Sequence, residues 1–231
     1  SQPARTDEGA TIEATVDDLR RVMDAAGVQR ATLLGFSLGA QIITEAWRHI
    51  PERIAGLVPI LGPFEHTFDS ALPPVVGPLF WKFFENWGPE AADVLLKLCY
   101  VASKLPVTWA TIKGLGIVGD RVHFDEMKPF FEHIGRVHGP TWAKLGISAH
   151  NHSAADVLPT IDVPALIISG GRDEFAPAEL GRRMHRLVPD SELFVVPEAT
   201  HAGLFGEREL IEDWVERFLV EHGLVGAKVQ P

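Results

Sequence analysis

Cysteine occurs once in the 231 residues, at Cys99, so no disulfide framework can form within the chain. That scarcity fits a reducing compartment, and a cytoplasmic location is expected. Cys99 has no basic partner nearby in sequence and reads as a small buried hydrophobe rather than a nucleophile. No Lys/Arg cluster is present, and 31 acidic residues outnumber 21 basic ones for a formal charge of -10. That balance excludes nucleic acid and anionic membrane surfaces as expected partners. No apolar run reaches 18 residues, so no membrane span is expected. No internal repeat is visible.

The most informative motif present is Gly35-Phe36-Ser37-Leu38-Gly39. It comes after the apolar run 31–34 and precedes a helical pattern from Leu38 to His49, which ends before Pro51. Strand, sharp turn and helix are the context in which G-x-S-x-G presents a serine hydroxyl clear of a sheet. Glycines on both sides avoid Cβ collisions in the bend. Further on, 163–170 reads as a buried strand with Gly171-Arg172-Asp173 at its carboxyl end, where open α/β sheets carry ligands. A second short run, 193–196, leads to Pro197-Glu198-Ala199-Thr200-His201. The chain order is therefore Ser37, Asp173, His201, the last two 28 residues apart. His150 and His152 beside Asp156 lack a third placed ligand, so neither a metal nor any other cofactor is expected.

These residues resemble the α/β-hydrolase superfamily, in its cap-bearing esterase, lipase and cofactor-free haloperoxidase-like branch. The resemblance rests on the elbow at Ser37, the G-G-R-D segment ending at Asp173 and the A-T-H segment ending at His201. The segment 51–59 also resembles the stretch after the nucleophile helix in that family. The fold implied is α/β: the C-terminal part of the family sheet with a helical cap insertion. Residues 1–62 and 162–231 form the core, strands five to eight, and 63–161 the cap. Ser1-Gln2-Pro3 resembles the stretch just after the family's fourth strand. The resemblance therefore implies an upstream chain or segment that supplies four strands and a second oxyanion donor, and that pairs along the elbow strand.

The activity implied is serine-dependent hydrolysis of small or medium apolar carboxylic esters. Ser37 would be the nucleophile, His201 the base, Asp173 its orienting acid and the Leu38 N–H an oxyanion donor; Glu65 and Asp69, after the sixth strand where some family members place the acid, are the alternatives to Asp173. Lactone, C–C bond or perhydrolase chemistry on the same residues stays open, as does a non-catalytic ligand-binding or structural role. Four of the six tryptophans and eight of the 13 phenylalanines fall between Gly62 and Asp162. Phe36, Trp81, Phe84, Trp109 and Trp142 are candidates for an apolar substrate pocket, with packing between cap helices as the alternative use.

Local signals set the remaining expectations. A first helix from Ile12 or Val16 to Ala26 should bury Val16, Leu19, Val22, Met23 and Ala26, with a Thr15–Asp18 capping box and a stop at Gly27. Cap helices are expected over 75–87, 91–104, 106–114, 124–137 and 140–148. Pro59 should disturb the strand over 54–61. Helices over 177–187 and 207–222 complete the core.

Overall fold

The computed structural model describes residues 9–70, 76–114 and 117–225. Four strands, β1 (Ala31–Phe36), β2 (Ile54–Ile60), β3 (Leu166–Gly170) and β4 (Glu192–Val196), form one parallel sheet in that order. Parallel neighbours require crossovers. Helix α2 (Leu38–His49) connects β1 to β2, and α8 (Ala178–Leu187) connects β3 to β4. A helical insertion separates β2 from β3. It holds α3 (Thr67–Ser70), α4 (Val76–Ser103), α5 (Pro106–Gly114), α6 (Phe124–Ile134) and α7 (Gly139–Asn151). Helix α1 (Ile12–Ala25) precedes the sheet, while the short α9 (Gly203–Gly206) and α10 (Arg208–Glu221) come after it.

Strand alternation divides the core into two layers. Leu33, Leu57 and Ile167 face Ile43 and Trp47 of α2, Val16 and Met23 of α1, and Met184 of α8. Val58, Ile60, Leu166 and Ile168 face Ile211 and Phe218 of α10. Each such fully buried side chain contributes roughly 1.5–3 kcal/mol relative to exposure. β1 forms one edge of the described sheet.

Several local expectations change. The N-cap of α1 is Thr11, whose hydroxyl accepts from the Ala14 N–H at 3.1 Å; Thr15 lies inside the helix and bonds back to the Thr11 carbonyl. Val22 is exposed because the buried stripe runs through Ile12, Val16 and Met23 instead. The stop at Gly27 holds, with φ of 67° and the Val28 N–H donating to the Met23 carbonyl. Pro59 does not shorten β2. It sits between Leu57 and Leu61, whose N–H groups donate to Pro164 and Ile168, so the ladder to β3 misses one rung at the residue without a donor. The two helices expected over 75–87 and 91–104 are a single helix, α4, which runs through Gly88 and Pro89. Cys99 is exposed on α4, not buried.

Candidate active site

Ser37, Asp173 and His201 sit on the loops that leave the carboxyl ends of β1, β3 and β4. Ser37 has φ of 53° and ψ of -121°, a conformation uncommon for a non-glycine residue. It is pinned on both sides, since its N–H donates to the Ile60 carbonyl and its carbonyl accepts from the Ala40 N–H, both at 2.9 Å. A Cβ at Gly35 would overlap the Gly39 carbonyl oxygen, so that glycine is required. At Gly39 a Cβ would meet nothing within 4 Å among the described residues. A second demanding glycine is Gly62, where a Cβ would overlap the Ser37 carbonyl oxygen. Sequence reasoning missed Gly62, because its constraint comes from a distant segment. Leu38 is the first residue of α2, where backbone N–H groups have no helical acceptor.

The three polar side chains meet. Ser37 Oγ lies 2.9 Å from His201 Nε2, and His201 Nδ1 lies 3.0 Å from Asp173 Oδ2. Asp173 Oδ1 also accepts from the N–H groups of Phe175 and Ala176, at 2.8 and 2.9 Å. This carboxylate has no exposed side-chain surface, and its acceptors face only donors. With Nδ1–H donated to Asp173, the other ring nitrogen is free to accept the Ser37 hydroxyl proton. The loops carrying acid and base are tied directly: the Gly171 N–H donates to Val196 and the Arg172 N–H to Ala199. The insertion joins in, as the Gly119 N–H donates to Thr200 Oγ1 at 3.2 Å and Arg121 pairs with Glu207 at 2.8 Å.

The alternative acids are engaged elsewhere. Glu65 accepts from Ser153 and Arg183, and Asp69 faces His150 at 3.9 Å. Of the pocket candidates, Phe36 lies against the His201 ring at 5.4 Å between centroids. Phe175, which sequence reasoning missed, flanks the same ring at 5.1 Å. Trp81 stacks on Phe68 and lies 3.9 Å from the His150 ring, inside the helical insertion. Trp109 lines an apolar cavity of about 210 Å³ with Cys99, Ala102, Thr108, Ile112 and Phe131. Trp142 is 38% exposed. The Phe84 side chain falls outside the described residues.

A buried polar network runs along α2 from the next turn. Gln41 donates to the Ala149 carbonyl at 2.9 Å and to His152 Nδ1 at 3.3 Å, and accepts from Thr67 at 2.7 Å. His152 Nε2 lies 2.9 Å from Glu45, which also meets Arg48 and His49. Burial alone would raise the Glu45 pKa. The hydrogen bonds from His152 and Arg48, with the Arg48 charge, outweigh it and hold the carboxyl at about 2. Desolvation lowers His150 below the usual histidine value, against the opposing pull of Asp69. No group of three or more metal-ligating side chains occurs among the described residues. Gln41 and Glu45, at four-residue steps from Ser37 and so on one side of α2, were the available signal for this network.

Residues 3–214 match the model of the alpha/beta hydrolase family. A pimeloyl-[acyl-carrier protein] methyl ester esterase of Neisseria meningitidis serogroup C is 36% identical over 216 residues, covering 89% of this chain and 75% of that protein. A 2-hydroxy-6-oxononadienedioate/2-hydroxy-6-oxononatrienedioate hydrolase of Pseudomonas is 27% identical over 213 residues, covering 92% and 69%. A serogroup A meningococcal protein of the same esterase name is 26% identical, and the chain spans 64% of its length. Among solved structures, an esterase of Rhodococcus superposes with a TM-score of 0.69 at 18% identity, covering 95% of this chain and 76% of that one. A bromoperoxidase of Bacillus anthracis does so at 0.69 and 17%, covering 94% and 77%. At those identities the likeness is one of fold.

Proposed function

The chain belongs to the alpha/beta hydrolase family, and from that premise we propose that it is a serine hydrolase of small or medium apolar carboxylic esters. The observation that carries the proposal is the continuous contact from Ser37 Oγ through His201 to Asp173. His201 Nε2 accepts the hydroxyl proton as Ser37 Oγ attacks the acyl carbon. Asp173 orients the ring and stabilises the imidazolium that forms. The Leu38 N–H, at the start of α2, donates to the developing oxyanion and is aided by the helix dipole. His201 then returns the proton to the departing alcohol, leaving an acyl group on Ser37. Water attacks that ester by the same proton route reversed. Phe36 and Phe175 shield the imidazole and offer apolar surface beside the reacting carbon.

An upstream strand along the outer edge of β1, carrying the second oxyanion donor, belongs to the same proposal. It is supported by β1 having a paired neighbour on one side only among the described residues, and by Leu34, which is 50% exposed there. One missing donor costs roughly 3–4 kcal/mol, or about 100- to 1000-fold in rate. The chain joined to such a segment should therefore outpace the 231-residue chain by that factor.

A fluorophosphonate probe should label Ser37 rapidly in the intact protein, and His201→Ala should abolish labelling. Turnover of p-nitrophenyl esters across acyl lengths then tests the substrate class. A second reading, hydrolytic C–C cleavage on the same residues, is favoured by the likeness to the Pseudomonas hydrolase. Near-zero ester turnover beside efficient cleavage of a vinylogous 1,5-diketone would replace the first reading with the second. An unreactive Ser37 in the intact protein would remove both.

A further inference from the structure

The helical insertion reaches the elements that carry Ser37 and His201 at two places. One is the loop of the base. There the Gly119 N–H donates to Thr200, Arg121 pairs with Glu207, and Val118 and Val122 cluster with Ala202. The other is α2, the helix that starts at Ser37. Leu38, Gly39 and Ala40 have no polar side chain, so Gln41 is the first residue past the elbow whose side chain can bond across to the insertion. At about 1.5 Å per residue it stands about 6 Å along the helix axis from Ser37. Gln41 is fully buried, and both ends of its amide are used. The oxygen accepts from Thr67 at 2.7 Å, on the chain that enters the insertion after β2. The nitrogen donates to the Ala149 carbonyl at 2.9 Å and to His152 Nδ1 at 3.3 Å, on the chain that leaves it. Those two chains are paired with each other as well. The His66 N–H donates to the His152 carbonyl and the Ala154 N–H to the Phe64 carbonyl, both at 3.0 Å. A carbonyl oxygen only accepts, so the amide nitrogen must face Ala149 and the side chain has one orientation.

We propose that Gln41 is a positioning residue for the ester hydrolysis proposed above, a reading on which this inference rests. Gln41 clamps the entry and the exit of the insertion to the nucleophile helix, and so sets where the insertion stands relative to Ser37. Stability alone does not call for an amide here. Apolar side chains of the same shape would serve the fold about as well, because a buried hydrogen bond replaces bonds to water. What the amide adds is direction: one planar group holds a donor on one chain and an acceptor on the other. A carboxylate has no donor for Ala149, and a thioether has no N–H. The elbow does not depend on this clamp. Ser37 is held by its own bonds to Ile60 and Ala40, in the room that Gly35 and Gly62 leave. Loss of the clamp therefore acts on the fit of the substrate beneath the insertion, and the attack by Ser37 Oγ is spared.

The experiment is steady-state hydrolysis of a p-nitrophenyl ester by the intact protein, by Gln41→Met, by Thr67→Val and by the double variant. Gln41→Met should raise KM about tenfold and change kcat by less than about twofold. Thr67→Val keeps the shape and removes one donor, so it should raise KM by about threefold. In the double variant the two effects should not add, because both act through one clamp. A side chain that only stabilises the fold would lower the unfolding temperature of Gln41→Met and leave both constants unchanged below it; that result overturns the proposal. A fall in kcat at unchanged KM overturns it too, since the effect would then lie on the elbow, as do effects that add in the double variant. If Gln41→Met does not fold, Thr67→Val decides, and an unchanged KM there overturns the proposal. Fluorophosphonate labelling of the natural chain separates the two levels of the argument. An unreactive Ser37 removes the hydrolase reading and this inference with it, whereas a reactive Ser37 with unchanged KM in the variants removes the inference alone.

Discussion

Ser37 keeps its uncommon backbone conformation because two glycines, Gly35 and Gly62, leave room for the elbow. Gly62→Ala should therefore act on the serine although it lies outside the motif. The added methyl must displace both the Ser37 carbonyl and the Ala40 side chain, at a cost of roughly 1–3 kcal/mol. Thermal unfolding should register that loss, and the rate of serine labelling should fall with it. An unchanged labelling rate would show that the elbow relaxes without moving Oγ. Asp173→Asn makes a sharper claim. Two backbone N–H groups compel the amide oxygen to face Phe175 and Ala176, so the amide NH₂ turns toward His201 Nδ1. The ring must then carry its proton on Nε2, against Ser37, which is the wrong tautomer for a base. Turnover should drop about 10⁴-fold in a folded protein. The three polar residues were legible because a motif and chain order encode them. Phe175 and Gly62 were not, since their roles arise from distant segments meeting in space.

Legibility at the scale of elements depends on how local the cause is. Helix α2 ends at His49 as its apolar pattern and Pro51 require, and α5 has the expected bounds. The sequence pattern points to Thr15 as the cap of α1, yet the helix begins one turn earlier at Thr11, with Ile12 buried in its first turn. Thr11→Ala should cost about 1 kcal/mol in denaturant unfolding, and Thr15→Ala clearly less. Gly88-Pro89 reads as a break in sequence, yet contacts with α6 and α7 carry α4 through it. The network on α2 gives the protein a defined acid response. Glu45 is 3% exposed and titrates at about 2 when folded, against an ordinary value of 4.5. Its contribution is fully present above pH 4.5 and is lost as pH falls through about 2. That window is worth roughly 3 kcal/mol at most. Unfolding free energy measured across it should fall more steeply in the natural chain than in Glu45→Gln, which has no proton to take up at that position.

The whole molecule joins two parts with different amounts of buried apolar surface. Strands β2 and β3 are covered on both faces, and the largest fully buried side chains include Ile54, Leu57, Leu166, Ile167, Ile168 and Phe218. The insertion has smaller clusters, one around Val118, Val122 and Met127 and one around Ala92 and Ala143. Its place between β2 and β3 was legible from a long stretch without strand pattern. Its internal packing was not, because tryptophans spaced along helices say nothing about which helix each will meet. Local opening requires breaking only the contacts of the unit that opens. Amides of α5 and α6 should therefore exchange through openings of lower free energy than those of β2 and β3. Thr200 and Glu207 tie the insertion to the loop that carries His201, so opening of the insertion should loosen that loop as well. Arg121→Ala should accelerate exchange in 117–123 while leaving β2 and β3 unchanged. If exchange in the insertion and the sheet proved identical, the two would unfold as one unit, and the contacts at Thr200 and Glu207 would couple them more tightly than their number suggests.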